Sequence, residues 1–257
     1  MAKRSASQGG HAGRRQINGL EVSSSPLPIA CPAMTDHRSR FLQLALHAQA
    51  LRFGEFTLKS GRLSPYFFNA GRFDSGAKLA ELAACYVDAV EAAGVQFDLL
   101  FGPAYKGIPL ATAVACEFAR RGRDIPVAFN RKEAKAHGEG GMLIGAPLED
   151  RQVLIVDDVI TAGTAIREAL ALIAGGGGQV SGIVVALDRQ EILGDGSEPG
   201  QARRSAAQSV SLETGVPVIA VANLHDLLAF AGESAELVSH RDRLLAYRAS
   251  YGSGPTD

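Results

Sequence analysis

The sequence predicts an α/β fold in which helices flank a central parallel sheet, preceded by a small β hairpin. Three observations carry this. Short apolar runs recur near residues 97, 126, 153, 180 and 217, and helical segments separate most of them, the order expected of parallel strands joined by crossover helices. The run VLIV at 153–156 is apolar without alternation, as a strand buried on both faces must be. Between residues 53 and 71, two aromatic-rich runs flank a Ser60-Gly61 turn and Pro65, the pattern of a hairpin.

A chain of 257 residues can form one generous domain or two small ones. Residues 1–33 stand apart. Lys3, Arg4, Arg14 and Arg15 against Glu21 give them a net charge of +3, mixed with Ser, Gly and Pro and without apolar periodicity. They are expected to be a disordered extension. Their composition has some likeness to a transit peptide, but prolines and glycines interrupt any amphipathic helix. The simpler expectation is a start at Met34, a folded domain over 34–252 and a frayed tail at 253–257.

The formal net charge of −1 excludes a global pull toward nucleic acid or a membrane surface. Cys31, Cys85 and Cys116 make neither a metal spacing nor a disulfide framework, which points to a reducing cytoplasm. Cys85 and Cys116 lie in apolar helical patterns and are expected in the core. The longest charge-free stretch, 169–187, is broken by four glycines at 175–178, so it reads as a helix, a loop and a strand rather than a membrane span.

Taken in order, Phe41, Leu44, Ala45, Ala48 and Leu51 recur at helical spacing and predict a helix from Thr35 to near Gly54. The hairpin follows, with Phe67 and Phe68 on opposite faces of its second strand. A helix is expected over 75–93, stopped by Gly94. A strand at 97–101 then runs into Gly102, Lys106 and Gly107, and a further helix leads to a short strand at 126–130. Residues 131–145, RKEAKAHGEGGMLIG, combine cations with glycines and read as a mobile lid over a charged substrate. Beyond residue 166 come a helix, a strand at 180–187, a polar surface insertion at 191–204, a helix at 205–214, a strand at 217–222 and helices near 224–231 and 235–249.

The most specific stretch is 152–166, QVLIVDDVITAGTAI. Asp157 and Asp158 fall where the buried strand should emerge, and Thr161, Ala162, Gly163 and Thr164 lead into a helix. Small residues ahead of a helix N-terminus make a phosphate cradle, since backbone N–H groups and the helix dipole both favour an anion. An apolar run ending in one Asp could be only a strand end meeting solvent. The whole string is more demanding: it is neither a Walker A loop nor a Gly-x-Gly-x-x-Gly turn, and it sets a phosphate seat beside two carboxylates able to grip vicinal hydroxyls.

This string resembles the phosphoribosyl-pyrophosphate (PRPP) motif of the type I phosphoribosyltransferases, and residues 34–251 are similar to the orotate phosphoribosyltransferases in the hood (SGRLSPYFFNAG), the 131–145 loop and the central motif. The resemblance implies the type I phosphoribosyltransferase fold and a reaction joining orotate and PRPP into orotidine 5′-monophosphate and pyrophosphate, a step of pyrimidine (UMP) synthesis. It implies that Asp157 and Asp158 hold the ribose hydroxyls and that Val159, Ile160, Thr161, Ala162, Gly163, Thr164 and Ala165 surround the 5′-phosphate. Lys59, Lys106, Arg131, Lys132, Lys135 and His137 would meet PRPP, with Lys132, Lys135, His137 and the two aspartates as the catalytic set. Lys59, Phe67, Phe68, Thr161 and Arg189 would receive orotate.

Magnesium is the implied cofactor, held mainly by PRPP near Asp157 and Asp158 rather than by a dedicated protein cage. The implied assembly is a homodimer whose loop reaches into the neighbouring site. Two other readings share the central motif. A non-catalytic PRPP-sensing regulator would carry a DNA-binding domain, whereas 1–33 has no helix-turn-helix pattern. A purine phosphoribosyltransferase would lack the SGRLSPYFFNAG hood.

Overall fold

The computed structural model describes residues 36–58, 60–135, 141–193, 203–233 and 237–254. Helix α1 (His37–His47) buries Phe41, Leu42, Leu44 and Ala45. It stops earlier than its periodicity suggests: Gln49 turns to φ 56° and Leu51 opens strand β1 (Leu51–Thr57). Pairing with β2 (Leu63–Phe68) is the reason, because Leu51 and Arg52 stand opposite Phe68 and Phe67 in an antiparallel ladder. Aromatic cross-strand pairs outweigh one more turn of helix. These two strands form the expected hairpin.

Helix α2 (Gly76–Ala93) begins at an N-cap, Ser75, whose Oγ accepts the Lys78 N–H at 3.4 Å, and ends at Gly94 with φ 66°. Beyond it lies a six-stranded sheet: β3 (Leu99–Gly102), β4 (Val127–Lys135), β5 (Gly141–Gly145), β6 (Gln152–Asp157), β7 (Gln179–Asp188) and β8 (Val218–Asn223), in the spatial order β5-β4-β3-β6-β7-β8. All neighbours are parallel except β4 and β5. The sequence reading takes 131–145 as one loop. Instead Asn130 pairs with Leu143 and Lys135 with Gly141, so the flanks of that loop are a ribbon. Met142 and Ile144 alternate there with exposed neighbours, a two-residue period that the glycines obscure.

Helices α3 (Gly107–Arg120), α4 (Thr164–Gly175), α5 (Ala206–Thr214), α6 (Leu224–Glu233) and α7 (Val238–Tyr251) complete the order. Alternation along the strands feeds two cores. Leu100, Leu154, Val156, Val184 and Ala186 pack with residues of α1, α2, α3, α6 and α7. Leu99, Phe101, Val153, Ile155, Ile183 and Val185 pack with Ile166, Ala169 and Ile173 of α4 and Val210 of α5. Both faces of VLIV are therefore covered, as its composition requires.

Three expectations need correction. Cys116 is exposed, whereas Cys85 is buried, because α3 turns only one stripe inward. Glu191 and Ile192 are not part of a surface insertion: Ile192 is buried, and Glu191 bridges to Gly252. The tail does not fray at residue 253, since the Ser253 N–H donates to the Gln190 carbonyl at 2.7 Å and the Gly254 N–H to Arg203 at 2.8 Å. Among the described residues, no helix is long and apolar enough to cross a membrane. The leader, 1–33, lies outside the described residues.

Strands β4 and β6 flank β3 on opposite sides, so the connections leaving β3 and β6 diverge and open a crevice at the sheet's C-terminal edge. Gly107 lets α3 start tight against that edge. A Cβ there would stand 2.6 Å from Pro103 Cδ and 2.8 Å from the Val156 carbonyl oxygen. Gly107→Ala is accordingly expected to cost about 1–3 kcal/mol of stability through overpacking. Urea unfolding followed by circular dichroism checks this, and a midpoint equal to that of wild type would show that the edge yields.

Candidate active site

Asp157 ends β6 and Asp158 follows it, both under a tenth exposed. Two adjacent carboxylates out of water need compensation. Asp158 receives it from Lys106, at the N-terminus of α3 across the crevice, whose Nζ lies 2.6 Å from Oδ2. Asp157 Oδ1 accepts the Asp158 N–H at 2.9 Å, but burial, and then the charge of Asp158, push its carboxyl up to about 7. Tyr86 of α2 donates its hydroxyl to the Asp157 carbonyl at 2.8 Å, and the Ala186 N–H donates to that of Asp158 at 2.9 Å. The backbone of the pair is thus pinned from the helical face and from β7.

The segment after the pair half-buries Val159 and Ile160 and exposes Thr161, Ala162, Thr164 and Ala165. Gly163 has φ 76° and caps α4 without a side chain, which leaves the helix's first N–H groups with no side-chain acceptor. Arg167 holds this turn from behind, donating to the Ala162 carbonyl at 2.8 Å while its fork binds Glu213 at 2.7–3.1 Å. Backbone donors of this kind at a helix N-terminus favour an anion.

Cations collect on the β3–β4 side. Lys132 Nζ sits 5.1 Å from the centroid of Tyr105, which is 69% exposed in the turn after β3. Arg131 Nη1 is buried without a hydrogen-bond partner among the described residues, a donor that a ligand oxygen could satisfy. Asn130 Oδ1 accepts the Ala104 N–H at 2.9 Å and fastens the turn carrying Lys106. The Lys135 side chain, His137 and Lys59 fall outside the described residues.

Arg189, just past β7, bonds Glu191 through Nε at 2.8 Å and Ser64 Oγ through Nη2 at 3.1 Å, with Tyr66 beneath it at 4.5 Å. It therefore lies against β2. Phe67 and Phe68 point to opposite faces of that strand. Phe68 packs near Phe41 and Phe73, while Phe67 meets Phe56 under the Arg52 guanidinium. The structure brings Lys106 to the acidic pair and Arg189 to the hood.

Sequence reasoning missed Tyr86, Tyr105, Asn130, Ser64 and Glu191. Tyr86 reads as ordinary helix core, and nothing local marks it. Glu191 follows the arginine by two residues on a strand end, a spacing that could have flagged a partner.

Asp157 carries a pH prediction. Its folded carboxyl is raised above the unfolded value, so the native state binds the extra proton, and stability should fall as pH rises from about 4 to 7. Against Asp157→Asn, wild type is expected to lose on the order of 3 kcal/mol over that window. Parallel pH dependences in denaturant unfolding would contradict the raised carboxyl.

Comparison with known proteins fits this geometry. Residues 74–197 match the model of the phosphoribosyl transferase domain. An orotate phosphoribosyltransferase of Xanthomonas campestris pv. campestris (strain B100) is 75% identical over 223 residues, covering 87% of this chain and 100% of the relative. One from Stenotrophomonas maltophilia (strain K279a) is 69% identical, covering 85% and 98%. The crystal structure of orotate phosphoribosyltransferase from Francisella tularensis aligns with a TM-score of 0.72 at 41% identity, over 83% of this chain and 99% of that one. With that identity along its described fold, the chain belongs to the orotate phosphoribosyltransferase family.

Proposed function

We propose that the crevice transfers the 5-phosphoribosyl group of PRPP to the ring nitrogen of orotate, giving orotidine 5′-monophosphate and releasing pyrophosphate. The observation that carries this is the buried acidic pair beside the uncapped N-terminus of α4, at the point where the sheet order reverses. In the reaction the bond from ribose C1 to pyrophosphate breaks, positive charge builds on the ring, and the bond from C1 to nitrogen forms as that nitrogen gives up its proton to the departing pyrophosphate or to solvent. Asp157 and Asp158 accept hydrogen bonds from the ribose 2′ and 3′ hydroxyls and sit where that charge is favoured. The segment from Val159 to Ala165, with Thr161 and Thr164 and the N–H groups of α4, seats the 5′-phosphate.

Lys106, Arg131 and Lys132 supply positive charge to the departing pyrophosphate, joined by Lys135 and His137 of the loop. Arg189 takes the orotate carboxylate by its planar fork, with Lys59, Phe67, Phe68 and Thr161 around the base. No covalent nucleophile is needed, and positioning does the work.

The acidic pair suits magnesium. These are hard oxygen donors, and one oxygen of each carboxylate has no hydrogen bond among the described residues. Among the described residues, no three His, Cys, Asp or Glu side chains cluster to hold a metal alone, and Asp157 and Asp158 would share it with PRPP oxygens. Bound there, the ion supplies neutralisation of pyrophosphate charge. We further infer a homodimer in which the β4–β5 ribbon carries its loop to the neighbouring site, and a reducing cytoplasm, consistent with free Cys85 and Cys116.

The test is orotate consumption, followed spectrophotometrically with PRPP and magnesium. Orotate should be used, and adenine, hypoxanthine and uracil left untouched. Asp157→Asn with Asp158→Asn should lower kcat/KM by at least about a hundredfold with the fold intact. Faster turnover of a purine, or wild-type turnover in the double variant, would refute the reading.

A further inference from the structure

Glu191 stands at the centre of a shielded cluster of which the reaction scheme uses only Arg189. Its Oε1 lies 2.8 Å from Arg189 Nε and 2.7 Å from Nη2, the Tyr66 hydroxyl donates to it at 3.5 Å, and Oε2 is 3.9 Å from Arg62 Nη1. The Arg189 and Glu191 side chains are 15% and 13% exposed, so water screens their attraction little. Glu191 and Ser64 together occupy the Nε–Nη2 edge of the guanidinium, and Nη1 has no hydrogen bond among the described residues. The ring of Tyr66 fixes the plane.

The backbone of Glu191 is itself held. It bridges to Gly252, the Ile192 N–H donates to Tyr251 at 2.9 Å, and Arg62 stacks over the Tyr251 ring at 4.8 Å. A side chain on so firm a base can set the direction of its partner.

We propose that Glu191 is a positioning residue for the base substrate: by taking one edge of the Arg189 guanidinium, it turns the Nη1 edge toward the orotate carboxylate. This rests on the assignment of Arg189 to that carboxylate. Glu191 touches no substrate and acts only through the arginine, so its effect must vanish when the arginine is gone.

The experiment measures KM for orotate and for PRPP, kcat and thermal midpoint in wild type, Glu191→Gln, Arg189→Met and the double variant. Glu191→Gln keeps shape and one acceptor but removes the charge. It should raise KM for orotate about tenfold, with KM for PRPP within about twofold of wild type, and add nothing in the Arg189→Met background. Ser64→Ala, which loosens the same guanidinium from another atom, should raise KM for orotate about threefold and likewise add nothing there. It carries the test should Glu191→Gln lose its fold. An effect of equal size in both backgrounds, or none in either, overturns the proposal and leaves the Arg189 assignment standing. Unchanged orotate affinity in Arg189→Met overturns that assignment, and the proposal with it.

Discussion

Two carboxylates buried side by side at the end of β6 are the constraint to which the crevice is built. Neither can be left unpaired in a poorly hydrated edge, and a single lysine cannot neutralise both. The structure answers with an ion pair for Asp158 and a carboxyl near neutrality for Asp157. That answer works only if Lys106 arrives from β3, the neighbouring strand, and if α3 begins close enough to bring it there. The close approach at Gly107 and the reversal of strand order are therefore parts of one electrostatic solution. Tyr86 adds a backbone anchor, and its phenol, raised well above its ordinary value by burial and the nearby acids, stays a donor.

The second charged centre, one strand away, balances differently. Around Arg189 the ion pair is complete within the protein, and an aromatic face and a hydroxyl define its orientation. Strand β2 supplies the aromatic face and the hydroxyl, and the two-stranded hairpin is stable because it packs on the terminal helix and on Phe41 and Phe73, not by its own pairing alone. The acidic pair and the Arg189 cluster are thus two charged centres at one edge of the sheet, the first paired across strands and the second held by the hairpin.

Much of this was legible in the sequence. The strand order class followed from apolar runs and helical spacing, and the acidic pair with its small-residue turn announced itself because adjacent aspartates at the end of VLIV have few purely structural uses. What escaped has physical reasons. The helix–strand boundary at 48–51 was lost because Ala48 and Leu51 satisfy helical spacing while pairing with Phe68 decides otherwise. The ribbon flanking the loop was hidden by glycines that carry no periodicity. Glu191 looked like the start of a polar insertion because its partners, Arg62 and Tyr66, lie more than a hundred residues away in the chain and only folding unites them.

We propose that the Asp157 carboxyl, raised to about 7 by burial and the charge of Asp158, becomes fully charged when PRPP binds. Calorimetric titration with PRPP and magnesium at pH 7, repeated in buffers of different ionisation enthalpy, measures the protons exchanged. With a carboxyl near 7, binding should release about half a proton more in wild type than in Asp157→Asn. Identical proton release in the two proteins would contradict the account.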